Sequence, residues 1–431
     1  MFNTLRNAWK VADIRKKLFY TLFIIVLYRL GGYIPVPFLD ATAIGEMISG
    51  SNNIFSYLNV LSGGTFSKAT LLCLSISPYI NAQIIIQLLT YAIPALERLA
   101  KEGEEGRKKI NNITKWSTLA IALVQSYAYY ITLRNEGALV YTTGFEKWLS
   151  MFVIIACFSA GAMLVIWLGG KIDQHGIGNG ISMLLFAGIV ADLPKSFGST
   201  FATLIDTGSV GYILLIPVIV IIFVLIVGFV IFMDNAERRL PIQYAKRVVG
   251  RKMYGGQSTY LPIKVAMAGV LPIIFAMSFL SIPSTIVMFT GEPAEGTFWH
   301  GFLSLFSYTH PVYAILYLIL IIAFSYFYIS MQYNPVEIAN NLRQNNGGIP
   351  GLRPGKPTSD YIQRVVNKLT LVGAIFLGII ALLPIVFAQI TGIGNLALGG
   401  TSILIVVNVA LETVRQIESQ MMMRHHKGFL E

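Results

Sequence analysis

Charge is scarce in this chain, and its scarcity is uneven. Of 431 residues only 12% are Asp, Glu, Lys or Arg, against 55% hydrophobic, which excludes both an ordinary soluble domain and a disordered polymer. Cysteine is nearly missing too. Cys73 and Cys157 both lie in apolar stretches, so there is no disulfide framework and no cysteine metal spacing, only two small hydrophobes. The five histidines, His175, His300, His310, His425 and His426, fall in connections or tails, leaving no Ser–His pair and no HExxH helix. No GxxxxGK[ST] run occurs either, so the chain brings no nucleotide-binding loop of its own. These absences remove enzyme chemistry, and neither a metal nor another cofactor is expected.

What is present is ten apolar runs, near residues 18–34, 69–92, 116–133, 149–169, 178–193, 211–233, 265–290, 311–331, 369–390 and 401–417. Crossing roughly 30 Å of hydrocarbon takes about 20 residues of helix. Lipid offers the backbone no hydrogen-bond partner, and continuous rather than alternating hydrophobicity excludes a barrel. The expected fold is therefore an all-α polytopic membrane protein with ten transmembrane helices. Apart from Arg29, the interiors of the runs read as uncharged. Basic residues gather instead in the N-terminal tail, the connections 93–115, 170–177, 234–264 and 332–368, and the C-terminal tail, which together hold 27 of the 32 Lys and Arg. By the positive-inside rule that face, with both termini, is cytoplasmic. The first run lacks a small-residue cleavage site after it and reads as a retained span. Residues 2–17 suit either a short interfacial helix or a solvated tail.

Five runs precede Gly211 and five follow it, so halves sharing one fold would be inverted relative to each other. The expected division is 1–210, 211–420 and a tail at 421–431. Gly-rich helix starts at 177–182 and 398–403 echo one another weakly. Residues 53–67, NIFSYLNVLSGGTFS, are too short to cross. They fit a half-helix folded into a cavity, or an interfacial helix outside the membrane. Residues 240–262 suggest a β-hairpin with a cationic tip around Gly250-Arg251-Lys252, and 345–357 a Gly/Pro-dense turn carrying Arg353 and Lys356. Within the runs, Ile76, Ile80, Gln83 and Gln87 share one helical stripe, as do Ser278, Ser281 and Thr285 above Ile274. Helix packing accounts for such stripes, and so does a seam that opens. Ten spans and inverted halves also suit an ion-coupled secondary transporter, but transporters keep ionisable groups near the midplane. That reading stands as the alternative.

Six segments then carry a family resemblance over essentially the whole chain: SGGTFSKATLLCLSISPYINAQIIIQLL (62–89), GIGNGISMLLFAGIVADLP (176–194), ERRLPIQYAKR (237–247), QSTYLPIKVAMAGVLPIIFA (257–276), PGLRPGKPT (350–358) and GGTSILIV (399–406). The chain resembles the SecY/Sec61-alpha family of protein-conducting channels. The resemblance implies a clamshell of two five-helix halves around an hourglass pore. It further implies a constriction lined by Ile76, Ile80, Ile181, Leu185, Ile274 and Ile405, with Leu185 replacing the usual isoleucine. A plug would comprise Tyr57, Leu58, Asn59, Val60, Leu61, Ser62, Gly63, Gly64 and Thr65. The seam of spans two and three against seven and eight would be a lateral gate, with Asn81, Gln87 and Ser278 as polar contacts. Arg247, Arg251, Lys252, Arg353 and Lys356 would dock the SecA ATPase or the ribosome. SecE and SecG are the implied permanent partners, signal-sequence-bearing preproteins the passengers, membrane lipid the destination of released spans, and the bacterial plasma membrane the location.

Overall fold

A backbone shielded from water must bond to itself, so the apolar runs become helices. The computed structural model of the chain describes residues 9–40, 65, 68–135, 137–141, 143–206, 210–244, 247–249, 252–254, 258–290, 297–306, 310–391 and 400–427. In chain order the helices are α1 (Ala12–Gly31), α2 (Ser77–Ala92), α3 (Pro94–Lys101), α4 (Glu104–Asn135), α5 (Gly144–His175), α6 (Gly180–Asp206), α7 (Val210–Asn235), α8 (Leu271–Thr290), α9 (Phe298–Ser304), α10 (Pro311–Gln332), α11 (Pro335–Gln344), α12 (Lys356–Thr391) and α13 (Gly400–Lys427). Among the described residues every expected run holds a helix, and α3, α9 and α11 are short additions.

Five described segments are long and apolar enough to cross a membrane on their own: Gly144–His175, Gly180–Ala202, Leu214–Asn235, Pro311–Gln344 and Lys356–Phe387. The pair α2 and α3, bent by 100° at their junction, would be a sixth if it is one span. α1, α4 and α13 run on into charged segments, which dilutes their apolar character.

The run at 69–92 is not helical throughout. Residues 68–76 are turns, with Ala69 (φ 45°) and Ser75 (φ 47°) in the left-handed region, a conformation costing an L-residue about 1–2 kcal/mol. The helix begins only at Ser77, where Pro78 fits the first turn because its missing N–H would have had no helical partner.

Among the described residues five strands follow α7: β1 (Glu237–Tyr244), β2 (Arg247–Val249), β3 (Lys252–Tyr254), β4 (Ser258–Lys264) and, after α11, β5 (Gly347–Gly348). The expected hairpin is there, with β1 antiparallel to β4 (Leu240 opposite Leu261) and β2 to β3 (Val249 opposite Lys252). β5 adds a third strand on the far side of β1, with Gln243 opposite Gly348. Leu240, Ile242 and Ile263 bury against Ile329, Leu342, Ile349, Ile362 and Val366. The two long basic connections are thus one platform seated on α10, α11 and α12.

Helix packing follows chain order within each group. α2 packs on α4, α4 on α5, α5 on α6 and α1; α8 packs on α10, α10 on α12, α12 on α13, and α13 on α7. Tyr129, Leu133, Ile154 and Phe158 centre one core, and Val230, Ile273, Tyr317, Ile321 and Leu404 another. The groups meet along two lines, α6 against α7 and α13, and α4 against α8.

Sidedness is visible in the contacts. Lys17 Nζ lies 3.4 Å from Gln420 Oε1, and Arg415 reaches Asp234 at the end of α7. Tyr91 at the end of α2 meets Phe327 near the end of α10. These ends and the sheet share one face, which also carries the basic connections. On the other face residues 34–40 pair with 69–71 and 138–140, as in the bonds Val36 N–H to Ala69 O and Val140 N–H to Phe38 O.

Candidate functional site

The six aliphatic residues expected at a constriction come together. Ile76, Leu185 and Ile405 are buried in one cluster with Ile80, Ile181 and Ile274 packed against it. Ile76 immediately precedes α2, Ile80 sits in its first turn, Ile181 and Leu185 open α6, Ile274 opens α8, and Ile405 stands in the second turn of α13. Four helices therefore meet there by their starts, two from each side of the chain's midpoint. All six are branched alkyl side chains. Branched alkyl groups offer a narrow neck no hydration sites and no fixed charge, so they exclude water and ions while favouring no particular passenger.

Backbone contacts place these residues. A Cβ on Gly180 would overlap the Gly169 carbonyl, and one on Gly169 would sit 2.8 Å from Ile181 Cδ1. α5 and α6 thus touch backbone to backbone, a close approach that only small residues permit, and this sets where Ile181 stands. Likewise a Cβ on Gly161 would overlap the Leu71 carbonyl, so α5 supports the turn that presents Ile76. Within that turn, Tyr28 OH and Ser75 Oγ lie 3.1 Å apart in a buried hydrogen bond. The strained Ala69 and Ser75 precede Ile76 in the chain, and stored backbone strain is commonly found at sites of conformational change.

Of the expected plug, Tyr57 to Gly64 lie outside the described residues. Thr65 is buried, its Oγ1 donating to the Leu72 carbonyl (3.2 Å) and its own carbonyl accepting from Thr70 Oγ1 (3.3 Å). A Cβ on Gly32 would meet Thr65 Cγ2 at 2.7 Å, so this residue is wedged against the end of α1.

Along the expected seam, α4 packs on α8, and the Tyr91 and Phe327 rings meet edge-on at 5.8 Å. Asn81, Gln87 and Ser278 are half-buried there. Ser281 and Thr285 do not reach across. Their hydroxyls donate to carbonyls of their own helix, Ser278 O at 2.7 Å and Ser281 O at 2.9 Å, the usual local solution for a hydroxyl in a helix.

On the basic platform, Arg353 and Lys356 are exposed beside a turn held by Thr358 Oγ1 donating to the Arg353 carbonyl (2.8 Å), with Gly351 (φ 82°) and Gly355 (φ 106°) supplying the left-handed positions. Arg247 and Lys252 fall on β2 and β3, flanking the hairpin tip. Arg251 lies outside the described residues.

Besides Glu412 and Arg415 near the end of the last run, Asp192 departs from the uncharged reading of the spans. Asp192 is inside α6 and buried, its Oδ2 accepting from Ser196 Oγ (3.3 Å). Lys195, Arg29 and Lys68 are the cations near enough to offset it. Counting the apolar run to residue 193 put this acid at a span's edge, whereas the helix continues to Asp206. Also unforeseen were β5, which has no strand propensity of its own, and the side-chain ties of α13 to its neighbours. An (Arg-Gln)-x-(Glu-Ser-Gln) run after an apolar helix was the only signal for the latter.

A family profile described as SecY matches residues 70–414. The chain is 41% identical to "Protein translocase subunit SecY" of Streptomyces coelicolor over 457 aligned residues, and 41% identical to the protein of that name from Bacillus subtilis over 439, with all of each chain covered. Among solved structures it is similar to one described as a protein conducting channel, with TM-score 0.66, 21% identity and coverage of 95% and 93%. A second concerns the plug domain of the SecY protein, described as stabilising the closed state of the translocation channel and maintaining a membrane seal, with TM-score 0.65, 20% identity and coverage of 95% and 93%. A third is Sec61 in the canine ribosome–channel complex from the endoplasmic reticulum, with TM-score 0.63, 19% identity and coverage of 95% and 93%. At those identities the structures speak for the fold.

Proposed function

The chain belongs to the SecY family, and on that premise we propose that it is the central channel subunit of a protein translocase. It passes unfolded preproteins across a membrane and releases transmembrane segments into lipid through a lateral gate. It is a channel and not an enzyme. The observation that carries this reading is the meeting of Ile76, Ile80, Ile181, Leu185, Ile274 and Ile405, from four helix starts, in one apolar cluster. Such a gasket deforms around an extended chain of any sequence, and a site with fixed charges would bind some passengers and stall them.

We further propose ten crossings in two inverted halves, 1–210 and 211–420, both termini cytoplasmic, in a bacterial plasma membrane. Tyr57 to Thr65 would act as the plug, in keeping with the seal ascribed to the plug domain of the similar SecY structure. Asn81, Gln87 and Ser278 would line the gate. Arg247, Arg251, Lys252, Arg353 and Lys356 would dock the motor SecA or a ribosome, the latter in keeping with the ribosome-bound similar structure. SecE and SecG would be the constant partners.

The test is reconstitution into vesicles with SecE and SecG. SecA- and ATP-dependent uptake of an unfolded preprotein is expected. Gradient-driven uptake of a small solute without polypeptide transport would establish the transporter instead. The observation favouring that alternative is Asp192, but its cationic neighbours and distance along α6 from Ile181 and Leu185 set it apart from the constriction.

A further inference from the structure

The turn joining α5 to α6 is held from outside by two other helices. Ile177 N–H donates to Thr21 Oγ1 of α1 (3.0 Å), and Gly178 N–H donates to Gln416 Oε1 of α13 (2.6 Å). Two further amides are met within the unit itself, Gly180 N–H by Asp173 Oδ1 (2.7 Å) and Ser182 N–H by Asn179 Oδ1 (3.1 Å). Ile14, Ile177 and Ile417 close a small buried cluster over these bonds. The start of α6 therefore has a fixed position relative to α13.

The neighbouring residue of α13 points elsewhere. Arg415 Nη2 lies 2.7 Å from Asp234 Oδ2, 2.8 Å from Asn235 Oδ1 and 3.3 Å from the Asp234 carbonyl, at the end of α7. Two residues later the chain enters β1 and the basic platform. The Asp234 side chain is only 13% exposed and that of Arg415 36%, so solvent screening, which weakens surface ion pairs, acts on this one mainly from the arginine side. Two consecutive residues of one helix thus hold the foot of the platform and the foot of α6. Along the same helix, Val409 and Ile405 enter the constriction cluster, and Ile181 follows Gly178 by three residues.

We propose that Arg415 and Gln416 are positioning residues that transmit motor engagement at the platform to the constriction, Arg415 fixing α13 to the root of β1 and Gln416 fixing α13 to the turn from which Ile181 and Leu185 rise. This rests on the channel reading. A displacement of the platform shifts α13 through the ion pair, and α13 carries the α6 start with it through the amide bond. Three of the six aliphatic residues then move together. The linkage is physical because each step is a direct contact, the first between α13 and α7 of one helix group and the second between α13 and the α5–α6 turn of the other.

The experiment uses the full chain co-reconstituted with SecE and SecG, measuring preprotein uptake against SecA concentration. Gln416→Ala and Arg415→Met are each expected to lower maximal SecA-stimulated uptake about fivefold or more, the lower end of typical site-to-site coupling. The SecA concentration giving half-maximal uptake should not change. Gln416→Glu keeps an acceptor for Gly178 N–H and should retain most of the uptake. The double variant Arg415→Met/Gln416→Ala should lose no more than the worse single variant, since both break one linkage. If Gln416→Ala does not assemble, Gln416→Leu removes the acceptor while keeping the side-chain volume and makes the same test. Unchanged maximal uptake, a shift confined to the half-maximal SecA concentration, or losses that multiply in the double variant would overturn the proposal. A wild-type chain that takes up no preprotein would instead overturn the channel reading and this inference with it.

Discussion

Ile76 and Ile405 are 1% and 2% exposed among apolar side chains, so a polar side chain there loses its water and meets mostly alkyl surface. Burying an amide without a hydrogen bond costs about 2–7 kcal/mol by transfer, a cost the site relieves by admitting water. Ile405→Asn is therefore expected to raise idle ion conductance in planar bilayers severalfold; a conductance equal to wild type would argue against a seal at this cluster. Glycine gives a second residue-level test. At Gly180 a Cβ would strike the Gly169 backbone, which cannot yield without separating α5 and α6, whereas Gly170 has nothing within 4 Å of that position. Gly180→Ala should destabilise the purified chain by about 1–3 kcal/mol, as overpacking does, and Gly170→Ala should leave the melting temperature near wild type. Equal melting of both variants would count against the close crossing. The aliphatic residues were legible in the sequence only through family resemblance. Nothing in the run GIGNGIS says which glycine faces a neighbouring backbone, because that depends on where α5 passes.

At the scale of elements, the platform ties strands from two separate connections into one sheet, β4–β1–β5. The hairpin was foreseeable because residues of high β-propensity flank a Gly-centred turn. β5 was not, since Gly347-Gly348 has no strand preference and pairs only because α11 and the turn bring it beside β1. The exposed Arg353 and Lys356 project from that platform. If a ribosome docks there, Arg353→Ala and Lys356→Ala should each reduce the slope of log affinity against log salt by about one for each lost phosphate contact. Idle ion conductance should stay at its wild-type value. Ribosome binding with an unaltered salt slope would remove these residues from the contact. α2 shows the opposite balance, a helix readable from its apolar stripe but shortened by the turns at 68–76. Their left-handed residues reflect supports from α1 and α5, which lie far off in sequence.

Across the whole molecule, the helix groups touch along α6 with α7 and α13 on one line, and along α4 with α8 on the other, where Tyr91 also meets Phe327. If the second line is the gate, bridging Tyr91→Cys and Phe327→Cys with a short bifunctional thiol reagent should abolish release of transmembrane segments into lipid, after Cys73 and Cys157 are replaced by Ala. Cleaving the bridge should restore release, and normal release from the bridged protein would exclude this line as the exit. Sequence alone determined that the chain is a helical membrane protein, which face carries its basic connections, and, through six family-like segments, that it is a channel. The first two follow from hydrophobicity and charge, quantities each residue carries with it, and the third from the resemblance. Tertiary structure decided what surrounds each of them: that four helix starts converge on the aliphatic cluster, that α6 runs past its apolar stretch and buries Asp192, and that Arg415 and Gln416 face different helices. Lipid rewards every apolar surface alike, so hydrophobicity cannot say which helix lies beside which. Close backbone contacts at glycines and a few directional hydrogen bonds make that choice, and they exist only once the helices have met.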